Sequence, residues 1–237
     1  MKKLFVLSLV SSLLFSACAS FNPNPTPTMS LDKFQYKEAV KGVTVAVDPY
    51  YSPVKTKGVF DNDFEGHEML ALLLDTATPD GSEYSLQKES IAITDGDGKI
   101  TKPCTWQDAG ECVGRGYGSS VAWFFITSFP GLIISAAHTA SVNTDIETDL
   151  RNREFKYGDC SPAKTGFVYF NMEKYNDKVP ARMTAIITLQ NAKTKEPVKF
   201  AIPFSPEAGW YGNIEPQEHK TPVKIAPANN DAAHMGI

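Results

Sequence analysis

The chain has 237 residues, with 23 Lys+Arg against 27 Asp+Glu and a formal net charge of −4. No basic stripe or cluster interrupts that acidic balance, which argues against nucleic acid as a partner, because phosphate recognition needs gathered Lys and Arg. About 200 residues lie outside the compositionally unusual ends, enough for one domain with a real core.

The first element is "MKKLFVLSLVSSLLFSACAS". Lys2 and Lys3 make a basic start, residues 4–15 form an apolar run diluted only by serines, and small residues follow. That order describes an export signal, and the run falls short of the ~20 residues that span a bilayer. "FSAC" resembles the bacterial lipobox, with Phe15 where Leu is usual. The resemblance implies cleavage before Cys18, so that residues 1–17 are a signal peptide. It further implies fatty acylation of Cys18, including palmitate, as an N-terminal membrane anchor. Ala19 follows in place of an aspartate, which in lipoprotein sorting implies the outer membrane, facing the periplasm. Losing Lys2 and Lys3 with the signal moves the net charge from −4 to −6.

Residues 18–30, with Pro23, Pro25 and Pro27 among Asn, Thr and Ser, read as an extended tether. At ~3.1 Å per residue it would hold a domain ~35 Å from the bilayer. The domain is expected over 31–205. "GVTVAVDPYY" alternates Val43, Val45 and Val47 with Thr44, Ala46 and Asp48, a half-buried strand that Pro49 and Pro53 should end. Residues 69–74, "MLALLL", are continuously apolar and predict a strand covered on both faces or a short buried helix, with Thr76, Thr78 and the Pro79-Asp80-Gly81 turn favouring the strand. "SLQKESIAITDGDGKITKP" predicts a hairpin turning at Asp95-Gly96-Asp97-Gly98. The same turn lacks the ligands of a calcium loop, since Ile93 and Cys104 occupy the first and twelfth positions.

"CTWQDAGEC" places Cys104 and Cys112 around Asp108 and Gly110, and a turn there would allow a Cys104–Cys112 disulfide, with Cys160 as the rival partner. Neither CxxC spacing nor a nearby histidine pair suggests a metal, and no cofactor motif is present.

Residues 121–140, "VAWFFITSFPGLIISAAHTA", carry no Asp, Glu, Lys or Arg over a length that matches a bilayer. Pro130-Gly131 divides the stretch, and its flanks show no sharp Lys/Arg asymmetry. The expected form is therefore an apolar and helical hairpin inserted between strands at about 121–157 and packed on the sandwich or on a partner, with shallow insertion into lipid and a true span as the alternatives. Its first arm ends at Phe129, and its second starts at Pro130 or Gly131 and runs toward Phe155. Trp123, Phe124, Phe125, Phe129, Leu132, Ile133 and Ile134 are its candidate contact residues. Within "NTDIETDLRNREFKYG", Thr144 and Glu147 form a capping-box pattern and Gly158 a stop. Strands follow at "TGFVYFNM", "ARMTAIITLQNA" and "PVKFAIPF", with the last two joined through residues 193–196. Residues 206–237 read as a disordered tail.

About seven strands with one helical interruption predict a mainly β fold, an antiparallel immunoglobulin-like β-sandwich. The signal, the "AVDPY" strand, the apolar centre, the polar helix and "GFVYF" in that order resemble a widespread set of bacterial envelope lipoproteins with no assigned activity. The likeness spans roughly 40–205. It implies a fold and a lipid-anchored address in the cell envelope, not a reaction.

Two classes of function remain. The anchor and the apolar insertion suit a non-enzymatic binding or assembly module with an envelope protein partner. An envelope hydrolase is the alternative, but its parts are incomplete. His67 lies between Glu65 and Glu68 without an HExxH motif, "GYGSSV" around Ser119 and Ser120 is not GxSxG, and His138 sits alone in the apolar stretch.

Overall fold

A computed structural model describes residues 21–79, 82–114, 129–175 and 178–207, and over 129–140 it describes the backbone alone. Cys18, Trp123, Phe124, Phe125 and all but two residues of the expected tail lie outside the described residues. So do the side chains of Phe129, Leu132, Ile133 and Ile134.

The chain starts its first sheet with a hairpin. Strands β1 (Tyr36–Val40) and β2 (Val43–Tyr50) are joined by Lys41 and Gly42. Both turn residues have positive φ, 52° and 81°, the geometry whose twist matches a two-residue hairpin. Strand β3 (Met69–Ala77) pairs antiparallel with β2, and β7 (Ala163–Asn171) pairs antiparallel with β3, giving the order β1-β2-β3-β7. The second sheet is built on β4 (Tyr84–Asp95). Its neighbours are β5 (Ile100–Thr101) and β8 (Met183–Asn191), with β9 (Pro197–Phe204) beyond β8 and β6 (Gly158–Asp159) also on β4. The fold is mainly β: two antiparallel sheets face one another as a sandwich.

Among the described residues, three α-helices lie outside it: α1 (Pro53–Phe60), α2 (Trp106–Val113) and α3 (Phe129–Arg153). They cover the outer face of the first sheet, so the molecule has three layers and two cores. Between the sheets, Val43, Val45, Val47, Leu70, Leu72, Leu74, Val168 and Phe170 meet Leu86, Ile93, Ile187, Leu189 and Phe200. On the other side, Ala46, Tyr50, Leu73, Phe167 and Tyr169 meet Phe60, Phe64, Ile146 and Leu150. This explains the unbroken apolar run in β3, which is buried on both faces.

Several local expectations change. Pro49 does not end β2; it sits opposite Leu72 inside the strand. It is tolerated because β1 reaches only as far as Val47, leaving β2 with an open side at Pro49. Pro53 opens α1, where its missing N–H costs nothing. Helix α3 already includes Phe129, the residue expected to end the first arm, rather than starting at Pro130 or Gly131. Thr144 and Glu147 are therefore interior to a 25-residue helix rather than its cap. Among the described residues, no helix is long and apolar enough to cross a membrane.

The segment "CTWQDAGEC" is a helix, not a turn. Thr105 caps α2: its Oγ1 accepts from the Asp108 N–H at 3.1 Å while Asp108 Oδ2 accepts from the Thr105 N–H at 2.8 Å. The expected Cys104–Cys112 disulfide is not formed; Cys104, Cys112 and Cys160 are all thiols. Cys104 precedes the cap of α2 and Cys112 sits in its last turn, and each keeps its own thiol.

Candidate functional site

The N-terminal segment does not stand away from the domain over residues 21–34. The Asn22 N–H donates to Asp61 Oδ2 at 2.9 Å, and Asn24 Nδ2 donates to the Gly58 carbonyl at 2.6 Å. Phe21, Met29 and Leu31 pack on the core beneath the helices, and Phe34 is fully part of it. The clamp is Arg153, the last residue of α3, which is 9% exposed. Its Nε donates to Asp149 Oδ2 at 2.7 Å, one turn earlier, and its remaining nitrogens donate to the Asn24 carbonyl and to Thr26 Oγ1. A planar guanidinium suits this task because its donors point along fixed, divergent directions. Burial raises the Asp149 pKa, and Arg153 works against that shift.

Under this strap lies a recess of about 330 Å³ between Thr26, Met29, Phe34, Asn152, Arg153 and Gly166. Its charged groups are already engaged: Arg153 holds the strap, and Lys156 donates to the Arg151 carbonyl at 2.6 Å. Glu154 has its pKa raised by burial, with Lys88 and Lys156 opposing the shift. The recess is a seam between strap and body, without a nucleophile and base facing each other.

A second polar cluster is buried beneath α1. Lys55 and Asp48, each 4% exposed, form an ion pair, and Lys55 Nζ also donates to the Pro49 carbonyl at 2.7 Å. The ammonium lies 4.0 Å from the centre of the Tyr50 ring. Burial pulls the Lys55 pKa down while Asp48 works to raise it; burial and Asp48 together push the Tyr50 phenol above its ordinary value. The cluster ties α1 to β2 across the two residues, Tyr51 and Ser52, that connect them. It is enclosed by the aromatic rings of Phe60 and Phe167, which contact Tyr50 at centroid distances of 6.2 and 5.1 Å.

Among the described residues, those considered for hydrolysis do not gather. His67 is exposed at the end of a 3-10 turn, Glu65–His67, before β3. Cys160 is buried between the two sheets, its Sγ directed at the Gly158 carbonyl at 3.4 Å. Burial raises the pKa of all three thiols, that of Cys104 to about 12, so none is an activated nucleophile. His138 lies in α3 where side chains are not described, and Ser119 and Ser120 lie outside the described residues. Among the described residues, no group of three or more His, Cys, Asp or Glu is placed to hold a metal ion.

Sequence reasoning missed the strap and the Lys55 cluster. The strap's signal was present in Phe21 and Met29, apolar residues that a solvated tether has no use for. Comparison with known proteins gives no match to a family model, a curated protein or a solved structure.

Proposed function

We propose that this chain is a lipid-anchored protein of the bacterial cell envelope. In this reading it is held at the periplasmic face of the outer membrane through Cys18, and it works as a non-enzymatic binding or assembly module. The observation that carries the reading is the strap. A segment that begins three residues after the acylated cysteine is fixed to the body by Asp61, Gly58 and Arg153. A domain clamped to the base of its own anchor has a defined position, which suits presenting a contact surface to an envelope protein partner. The contact residues of this reading are Trp123, Phe124, Phe125, Phe129, Leu132, Ile133 and Ile134.

The test is in cells. Cys18→Ser should leave a species that stays uncleaved or partitions into the aqueous phase of a detergent separation. A photocrosslinker at Phe125 should capture one envelope protein in a fixed ratio, and that ratio should fall when Ile133 and Ile134 are replaced by Asp. Unchanged processing and membrane retention of the Cys18→Ser protein would refute the anchor. No discrete crosslink from Phe125 would refute the contact.

A further inference from the structure

Strand β4 is interrupted in its middle. Leu86 pairs with Leu189 of β8 and Ile91 pairs with Ile187, so the four residues from Gln87 to Ser90 stand opposite Thr188 alone. Leu86 and Ile91 both reach the core between the sheets, so the extra residues loop out while the packing on either side is kept. Lys102 Nζ donates to the Glu89 carbonyl at 3.0 Å and holds the crest of the loop. A bulge of this size gives up ladder hydrogen bonds and re-aims side chains, which is how bulges beside functional sites act.

Beside the bulge, on the outer face of the second sheet, lies a recess of about 290 Å³. Ser85, Gln87 and Ser90 line it from β4, Thr188 and Gln190 from β8, and Pro197 from the start of β9. Thr188 and Gln190 point outward because their neighbours Ile187 and Leu189 fill the core. Gln190 Nε2 donates to the Lys195 carbonyl at 3.4 Å. Among the described residues, the side chains of Ser85, Gln87, Ser90 and Thr188 have no hydrogen-bond partner, so their donors and acceptors are open to the recess. Lys195, in the β8–β9 turn, is the one charged residue of the described lining.

We propose that this recess binds a neutral saccharide. The class follows from the lining. Ser and Thr hydroxyls and Gln carboxamides each donate and accept hydrogen bonds, as every sugar hydroxyl does, so one ring can satisfy several of them at once. A cationic ligand would find no carboxylate in the described lining, and a phosphate would find a single ammonium on an exposed side chain, without the paired donors that hold phosphate firmly. An apolar ligand would cover the open polar groups of Ser85, Gln87, Ser90 and Thr188 and leave them without partners, which costs more than the contact returns. Pro197 supplies a carbon surface on which the C–H face of a pyranose can rest. At about 290 Å³ the recess has the size of the smallest ligand cavities, ~300 Å³, which gives room for one ring. It opens on a sheet face, so the rest of an oligosaccharide can run on across the strands. The bulge makes the site, because regular pairing would keep β4 and β8 at the usual ~4.8 Å spacing along their whole length. The proposal does not depend on the acylation of Cys18 or on residues 121–134.

The experiment uses the full chain, purified without sugar-based detergent. The neutral probes are a glucose tetramer and an N-acetylglucosamine tetramer, and the charged comparisons are a galacturonate tetramer and inorganic phosphate. Saturation-transfer NMR detects binding and calorimetric titration measures it. At least one neutral tetramer should bind in the millimolar range or tighter. Gln87→Ala combined with Thr188→Val removes two of the open groups and should weaken that binding about ten-fold or more. Gln87 is exposed and Thr188 half-buried, so the urea midpoint should move little. Ser90→Ala, a smaller change, should weaken binding several-fold. Thr184→Val, on the same face but outside the recess, should leave the affinity as it is. No binding of either neutral tetramer at millimolar concentration overturns the proposal, and so does binding confined to the charged probes. Binding that survives the substitutions at 87, 90 and 188, or that falls equally with Thr184→Val, overturns it as well.

Discussion

Gly166 is the position where one added methyl group should do the most damage. It lies in β7 at the place where the chain leaving α3 crosses the sheet, and the Phe155 N–H donates to the Phe167 carbonyl at 2.8 Å. A Cβ built on Gly166 would lie 2.6 Å from Phe155 Cα and 2.8 Å from its nitrogen. Both obstacles are backbone, so no side chain can swing aside. The strands must part by about 0.8 Å to reach the 3.4 Å of ordinary contact. That movement strains the crossing hydrogen bond, worth ~1 kcal/mol, and adds an overpacking cost of ~1–3 kcal/mol. Gly166→Ala should therefore destabilise the domain by about 2–4 kcal/mol, a fall of about 1–2 M in urea midpoint at an m-value near 2 kcal/mol/M. Gly96→Ala is the control, because a Cβ there meets nothing within 4 Å and should change little. A Gly166→Ala loss below ~1 kcal/mol would refute the close crossing.

Asp75 is 7% exposed, accepts from Thr165 Oγ1 at 2.9 Å, and has its pKa raised by burial against the pull of that bond. A raised carboxyl binds its proton more tightly in the folded state, so its contribution to stability is present at low pH and is lost as pH rises from the ordinary carboxylate range through the folded value. Asp75→Asn should thus gain stability relative to the parent at pH 7, with the difference fading below pH 4 in urea titrations; a constant difference across pH would contradict the shift. Arg153→Lys keeps a cation beside Asp149 but cannot reach both Asn24 and Thr26, so limited proteolysis within residues 21–30 should speed up several-fold while the urea midpoint moves little; an unchanged cleavage rate would show that the strap is held elsewhere. Non-reducing peptide maps of the purified protein should recover Cys104 and Cys112 as thiols, with Cys112 alkylated first in the native state; a Cys104–Cys112 disulfide peptide would contradict the free thiols.

Much of the sandwich was legible because the second core lies behind a sheet whose strands still alternate. In β7, Phe167 and Tyr169 face the helices while Val168 and Phe170 face the other sheet, as the sequence order implies. The DGDG turn and the 193–196 turn fall where glycine and polar residues place them. What escaped were elements whose apolar stripe is weak. Helix α1 buries Lys55 and Thr56 alongside Val59 and Phe60, so its inward face reads as surface until Asp48 is seen to receive the lysine. Strand β1 is short, and Lys41-Gly42 is a poor advertisement for a turn that asks for two positive φ values. For α2 the signal was available in Thr105 and Asp108, but the glycine at 110 suggested a bend. That glycine serves the approach of Glu147 instead. The candidate site was less legible than the fold, because the strap depends on Arg153, which is 129 residues from Asn24.

One contact at the margin of the second sheet bears on how copies of this chain can associate. The Ala201 N–H of β9 points outward and donates to Glu38 Oε2 of β1 at 2.9 Å. An outward amide on the last strand of a sheet is an invitation to a further strand, and at high local concentration that invitation is repeated many times over. Glu38 occupies the amide and sets a carboxylate in the path of an incoming backbone. Two copies approaching edge to edge would each have to displace a charge and leave it without its hydrogen bond. Edge-to-edge pairing through β9 is therefore disfavoured at Ala201.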